Sequence, residues 1–280
     1  MDSVGLVKLV EDVVSAVAPG RLRMALVTGS AARGLADSTS DIDIYLYCDA
    51  LEGSPPDVER YQMVRARPTF QISTPTGWFA KLEHEQRYVD VEAIDVSELG
   101  RAVEALSGPA PPAPWAVKVA AGLRDAIAIV GPDDLDVWNR RLTYRDETAA
   151  AEVTARSARL LSPVALFALT YERGDVVSFA WRVSRLVLDT LALLGAVNRR
   201  FIAVEDPKWI PWHIAQLDRR PARFDERTRT ALSAPTAKAM TDLHAAIEDT
   251  LDLVDVHVAG ADTRAARFAL ALTPRPPRRR

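Results

Sequence analysis

The spacing of apolar residues changes character near residue 140, and that change constrains the fold more than any other feature. Before it, apolar residues come in short runs of strand type: Met24 to Thr28, Ile42 to Tyr47, Trp78 to Glu85 and Tyr88 to Val96, the last two reading as a hairpin. Helical patterns frame them at 4–17, around 57–66, from Ser97 to Leu106 and from Val117 to Ile127, and a short strand is expected at Ile127 to Val130. After 145 the patterns are helical and long: Asp146 to Leu161, Ala165 to Tyr171, Val176 to Leu194 and Pro235 to His257. Short strands followed by long helices predict an α+β chain, with an N-terminal mixed β-sheet flanked by helices and then an all-α helical bundle. Pro19-Gly20 reads as a helix stop, and the four prolines between Gly108 and Pro114 mark a connector. The expected divisions are 1–134 for the mixed domain, 135–262 for the helical domain and 263–280 for a flexible C-terminal tail. No period of 20 to 50 residues recurs, which argues against a solenoid.

Composition narrows the function classes. With 48% hydrophobic and 26% charged residues over 280 positions, the chain has enough apolar surface for a sizeable core. A single cysteine, Cys48, excludes an internal disulfide and a cysteine-held zinc site. The 35 basic residues against 38 acidic ones give a net charge of −3. Four of the basic residues belong to the Pro/Arg-rich end at 273–280, and without them 31 basic residues face 38 acidic ones, a charge of −7. An acidic body makes nucleic acid an unexpected main partner. The N-terminus lacks the blocks of a signal peptide, and apolar stretches such as Val164 to Tyr171 are too short to span a bilayer. A cytoplasmic protein without membrane attachment is the expectation.

Chemistry concentrates in Thr28-Gly-Ser-Ala-Ala-Arg-Gly-Leu-Ala-Asp-Ser-Thr-Ser-Asp41-Ile-Asp43-Ile-Tyr. Residues two apart on a strand project to one face, so Asp41 and Asp43 point together. Paired carboxylates on an otherwise apolar strand repel and call for a cation. Mg²⁺ suits hard oxygen donors and needs only one or two protein carboxylates, with phosphates and water completing its shell. Gly29 allows the backbone to approach a phosphate, and Ser30 adds a hydroxyl and an amide at the start of a helical turn. The bland alternative is an ordinary turn followed by a solvated edge strand, and the pairing of both halves at this spacing favours the functional reading.

This segment resembles the signature of the DNA polymerase β-like nucleotidyltransferase superfamily: a strand, Gly-Ser, a short helical turn, then Asp-x-Asp on the next strand. Ten residues separate Ser30 from Asp41, and Ala32-Arg33-Gly34 and Ser40-Asp41 also match small bacterial members. The resemblance covers about residues 23–96 and implies a third carboxylate on a neighbouring strand. Val89-Asp90-Val91 supplies it, with Glu92 as rival, since Asp90 and Glu92 share a face and Asp95 points the other way. The resemblance further implies two Mg²⁺ ions on Asp41, Asp43 and Asp90, with ATP or another nucleoside triphosphate as donor. It places Gly29, Ser30 and Arg33 at the phosphates, although Arg33 suits a surface salt bridge almost as well.

In the helical half, Asn198-Arg-Arg-Phe201 and Pro207-Lys208-Trp209-Ile-Pro-Trp212 are similar to a stretch of the helical domains attached to some bacterial nucleotidyltransferases. In those proteins this domain supplies acceptor-binding groups, which makes Lys208 a candidate phosphate contact. The alternative is that Asp206 and Pro207 begin a helix with Trp209 packed in the core. Glu172, Asp175 and Asp189 are candidates for an acceptor base, or solvated helix-face charges. The four histidines form no zinc-ligand spacing. The expected activity is transfer of a nucleoside monophosphate, AMP from ATP in the first instance, to a hydroxyl of a small molecule of the aminoglycoside-like antibiotic type. The alternatives are nucleotidylation of a partner protein or tRNA, or a nucleotide-binding regulatory module without turnover.

Overall fold

In the computed structural model, which describes residues 3–17, 21–51 and 54–273, the strand-type segments join one six-stranded sheet. Its strands are β1 (Arg21–Val27), β2 (Ile42–Asp49), β3 (Ala66–Thr74), β4 (Gly77–His84), β5 (Arg87–Asp95) and β6 (Ile127–Val130), in the order β3-β4-β5-β2-β1-β6. Strands β2 and β5 run parallel, and every other neighbouring pair among the described residues is antiparallel. The turn between β4 and β5 has two residues, Glu85 and Gln86, both at positive φ (47° and 64°). That conformation matches the twist of the paired strands and fixes their register.

The sheet has one apolar face. Ile42, Ile44 and Leu46 of β2 and Val89, Val91 and Ala93 of β5 are buried. They belong to one core with Leu9, Val10, Val13 and Val17 of helix α1 (Ser3–Val17), whose apolar positions recur at helical spacing. Strand alternation therefore turns Asp43, Tyr45, Asp90 and Glu92 to the other face. The same unit carries the four-residue helix α2 (Gly29–Ala32), the short helix α3 (Val58–Gln62), most of α4 (Ser97–Ser107), the second half of α5 (Pro114–Arg124) and α6 (Pro132–Arg141).

The remaining elements are helical: α7 (Asp146–Glu172), α8 (Val176–Val197), α9 (Ile210–Ala215), α10 (Phe224–Ser233), α11 (Ala237–His257) and α12 (Arg264–Leu272). Asp175 caps α8 by accepting from Ser178 N at 3.1 Å, and Thr236 caps α11 by accepting from Ala239 N. Val153, Leu160 and Phe167 of α7, Val183 and Leu186 of α8, Leu243 and Ile247 of α11, and Ala266 and Leu270 of α12 share one core.

The α+β class and the expected hairpin are observed, while several boundaries differ. The described residues fall into two compact units, one drawn from 1–104 and 119–143, the other from 105–118 and 144–280. The first unit thus extends past 134 to include all of α6, and the proline connector at 108–114 belongs to the second. Thr148 Oγ1 ties that connector's approach to the helical unit by donating to the carbonyl of Leu106 at 2.9 Å. The segment around 57–66 is only one turn of helix, followed by an edge strand, β3, that periodicity does not reveal. Helix α7 runs unbroken through Pro163, which is buried in it. The first part of the expected tail is helix α12, held to α7 by Thr273 Oγ1 donating to Val164 O at 3.0 Å. The arginines of 275–280 and the Pro19-Gly20 stop lie outside the described residues.

Candidate functional site

Parallel pairing of β2 with β5 sets Asp43 beside Asp90, one step before Tyr45 beside Glu92. Asp41 stands immediately before β2, with its side chain about half exposed. The Gly-Ser turn closes onto the same strand, with Thr28 N donating to the backbone carbonyl of Asp43 at 3.0 Å. Gly29 then sits at φ +64°, and a Cβ there would lie 1.9 Å from Asp43 Oδ2. Only glycine combines this left-handed backbone with so close an approach to a carboxylate. Of the residues singled out in the sequence, Asp41, Asp43, Asp90 and Gly29 are therefore brought together on one face of one sheet.

A residue absent from that set joins them. Lys81 of β4 is the antiparallel partner of Asp90. Its Nζ stands 2.7 Å from Asp90 Oδ1 and 3.6 Å from Asp41 Oδ2, and 5.4 Å from the centre of the Tyr88 ring. Burial alone would lower the Lys81 pKa, but Asp90, and then Asp41, outweigh it and hold the ammonium above its ordinary value. Among the described residues no three His, Cys, Asp or Glu side chains are already gathered as a metal cage. The Lys81 ammonium instead stands between Asp41 and Asp90. The two-residue turn is the sequence signal that would have found Lys81, because it sets residue 81 opposite residue 90.

The other candidates are placed differently. Ser30 is buried, and its carbonyl accepts from Leu35 N at 2.9 Å, which shapes the turn. Arg33 Nε donates to Asp125 Oδ2 at 3.1 Å with both side chains only 12% exposed, so Arg33 braces the turn against the end of α5. Glu92 lies beside the Tyr45 phenol, whose pKa is pushed up mainly by burial and next by the Glu92 charge. Asp95 accepts from Leu51 N and Ser97 N, and the Ser97 contacts hold its carboxyl below the ordinary value. Burial pushes the Cys48 thiol up to about 12, which makes it a poor nucleophile.

Lys208 belongs to the helical unit, in an exposed stretch before α9. The expected helix start at Asp206-Pro207 is not observed. Helix α9 begins at Ile210, and Trp209, 39% exposed, takes the N-cap position at φ 55°. Asp206 instead receives a contact from Lys118 Nζ at 2.8 Å. Among the proposed acceptor bases, Asp175 is a helix cap and Glu172 an exposed end of α7. Asp189, expected as solvated or catalytic, is 1% exposed and paired with Arg156 Nη1 at 2.8 Å. Arg156 also contacts Glu152 and Glu205, each at 2.7 Å, and Arg185 reaches Asp189 and Glu205 at 3.3 Å. Burial pushes the Glu152 carboxyl up against the opposing pull of Arg156. This buried network binds α7, α8 and the 198–209 segment together and leaves Asp189 no role as a base. His244 is likewise internal, its Nε2 3.2 Å from Leu270 O.

No protein-family model matches this chain, and no curated protein matches it. Among solved structures, a nucleotidyltransferase-like protein from Exiguobacterium sibiricum is similar at 14% identity and a TM-score of 0.42, over 95% of this chain and 78% of that one. No helix among the described residues is long and apolar enough to cross a membrane.

Proposed function

We propose that this chain is a Mg²⁺-dependent nucleotidyltransferase that moves a nucleoside monophosphate from a nucleoside triphosphate, AMP from ATP in the first instance, to a hydroxyl of a small molecule. The observation that carries the reading is the registered pair Asp43 and Asp90 with Gly29 pressed against Asp43. The donor set fits the ion, since Asp41, Asp43 and Asp90 offer hard carboxylate oxygens on adjacent chain segments and Gly29, lacking a Cβ, lets the turn lie directly against Asp43. Mg²⁺ held by these three would neutralise phosphate charge and favour ionisation of an attacking hydroxyl.

The chain's own groups then divide the work. Gly29 lets the backbone lie close to the β and γ phosphates, and Ser30 holds the shape of that turn. The acceptor oxygen forms a bond to the α-phosphorus as the bond to the bridging oxygen breaks, and pyrophosphate leaves. The acceptor proton passes to a carboxylate oxygen, for which Asp90, on the strand beside Asp43, is the nearest candidate. Arg33 acts through Asp125 on the turn, as a positioning residue. The acidic balance of the chain favours a cationic, polyhydroxylated acceptor of the aminoglycoside type over nucleic acid.

The test is a transfer assay with Mg²⁺, each of the four α-labelled triphosphates, an aminoglycoside mixture and a cell extract, fractionated into small molecules, RNA and protein. Label in small molecules, lost in Asp43→Asn while the melting temperature is retained, is expected. Full transfer in Asp43→Asn would overturn the reading. Label in RNA or protein would replace the acceptor class, and tight Mg-nucleotide binding without pyrophosphate release would replace catalysis by a binding role.

A further inference from the structure

The charge arrangement of the site assigns Lys81 a part in setting how many metal ions it takes, an inference that rests on the nucleotidyltransferase reading above. In sheet order the row runs Lys81 on β4, Asp90 on β5 and Asp43 on β2, with Gly29 following β1 on the far side. The ammonium thus reaches the carboxylates from the side opposite Gly29. It contacts Asp90 and Asp41, while Gly29 lies against Asp43. A second ion between Asp41 and Asp90 has to displace a like charge that β4 holds in register from both neighbouring strands.

We propose that Lys81 is a tethered cation that takes the Asp41–Asp90 side of the site in place of a second divalent ion. The loaded site then holds one divalent ion with its nucleotide, and the ammonium supplies the remaining positive charge. Lys81 is accordingly a positioning residue. Its Nζ stands between the Asp90 and Asp41 carboxylates, at 2.7 and 3.6 Å.

The test counts Mn²⁺ bound to the full chain in the presence of saturating α,β-methylene ATP, by electron paramagnetic resonance of free Mn²⁺. Wild type is expected to bind one Mn²⁺ tightly. Lys81→Met keeps the length of the side chain and removes its charge, and it is expected to fill a second site about tenfold more tightly than wild type does. Lys81→Gln is the companion variant should Lys81→Met fail to fold, and Lys81→Arg, which retains the charge, is expected to keep the wild-type count. Equal stoichiometry and affinity in wild type and both neutral variants would overturn the role of Lys81, as would two equally tight ions in wild type. If wild type takes up no Mn²⁺ beyond that held by free nucleotide, the metal site itself is refuted and Lys81 has nothing to compete with. One ion that is lost in Asp43→Asn but unaffected by loss of the Lys81 charge refutes the Lys81 assignment alone.

Discussion

Replacing Gly29 by alanine tests the close approach on which the site depends. Two effects follow, and a second glycine separates them. At φ +64° an alanine is strained, at a cost of about 1–2 kcal/mol for the left-handed backbone. The new Cβ would also lie 1.9 Å from Asp43 Oδ2 and 2.9 Å from its Cγ, where real contacts are not closer than 3.0 Å, so the carboxylate oxygen must recede by about 1.1 Å. A displacement of about 1 Å in a reacting constellation costs on the order of a hundredfold in rate. Gly34 has nearly the same conformation, φ +70°, and a Cβ there meets nothing within 4 Å. Gly34→Ala therefore carries the backbone strain without the collision. Urea unfolding is expected to show similar losses of about 1–2 kcal/mol for both variants, and pyrophosphate release to fall about a hundredfold in Gly29→Ala only. Gly29→Ala with wild-type kcat/KM would refute the reasoning, because Asp43 would then tolerate a shift that the site is argued not to allow.

Other expectations follow from the ion pairs. Arg156→Met removes the ion-pair partner of the buried Glu152 carboxylate and leaves Asp189 with only its longer contacts to Arg185 and Arg159, and should cost about 3–5 kcal/mol in urea unfolding. An unchanged midpoint would show that the network contributes nothing net. The Asp95 carboxyl titrates below its ordinary 3.8 in the folded chain, so its contribution to stability is present above that pH and is lost as pH falls through the lowered folded value. Asp95→Asn should therefore flatten the decline of the urea midpoint below about pH 4, and an unaltered pH profile would contradict a stabilising role for the Ser97 contacts.

Much of this architecture can be read from residue spacing, because the apolar alternation in β2 and β5 is strong and the helices after 145 are long. The turn and the two carboxylates of Thr28 to Tyr45 are visible as a motif, since they are local. What escapes is set by pairing between distant segments. Asp90 and Glu92 share a face, and only the register with β2 reveals that Asp43 lies beside Asp90 and Tyr45 beside Glu92. Lys81 is a lone lysine in a strand, ordinary until the Glu85-Gln86 turn sets it opposite Asp90. Strand β3 hides because its exposed Phe70 and Ile72 alternate with polar residues and Pro68, the composition of an edge. Helix α7 crosses Pro163 because packing against α8 and α12 outweighs one lost backbone hydrogen bond. Arg33 and Asp189 carry functional-looking chemistry, but their burial beside Asp125 and Arg156 gives that charge a structural use.

The parallel pairing of β2 with β5 has a consequence for how the chain reaches its working state. Strands β3, β4 and β5 can zip together through short turns, and β1 can pair with β2 across the segment that holds the Gly-Ser turn, but β2 and β5 must find each other across the whole intervening stretch. Closing that seam is among the slower events of assembly, since the entropy of a long loop is lost before its contacts form. Asp43 and Asp90 lie on opposite sides of the seam. A nascent or partly unfolded chain therefore carries both carboxylates apart from one another, and their juxtaposition marks the point at which the two halves of the sheet have joined.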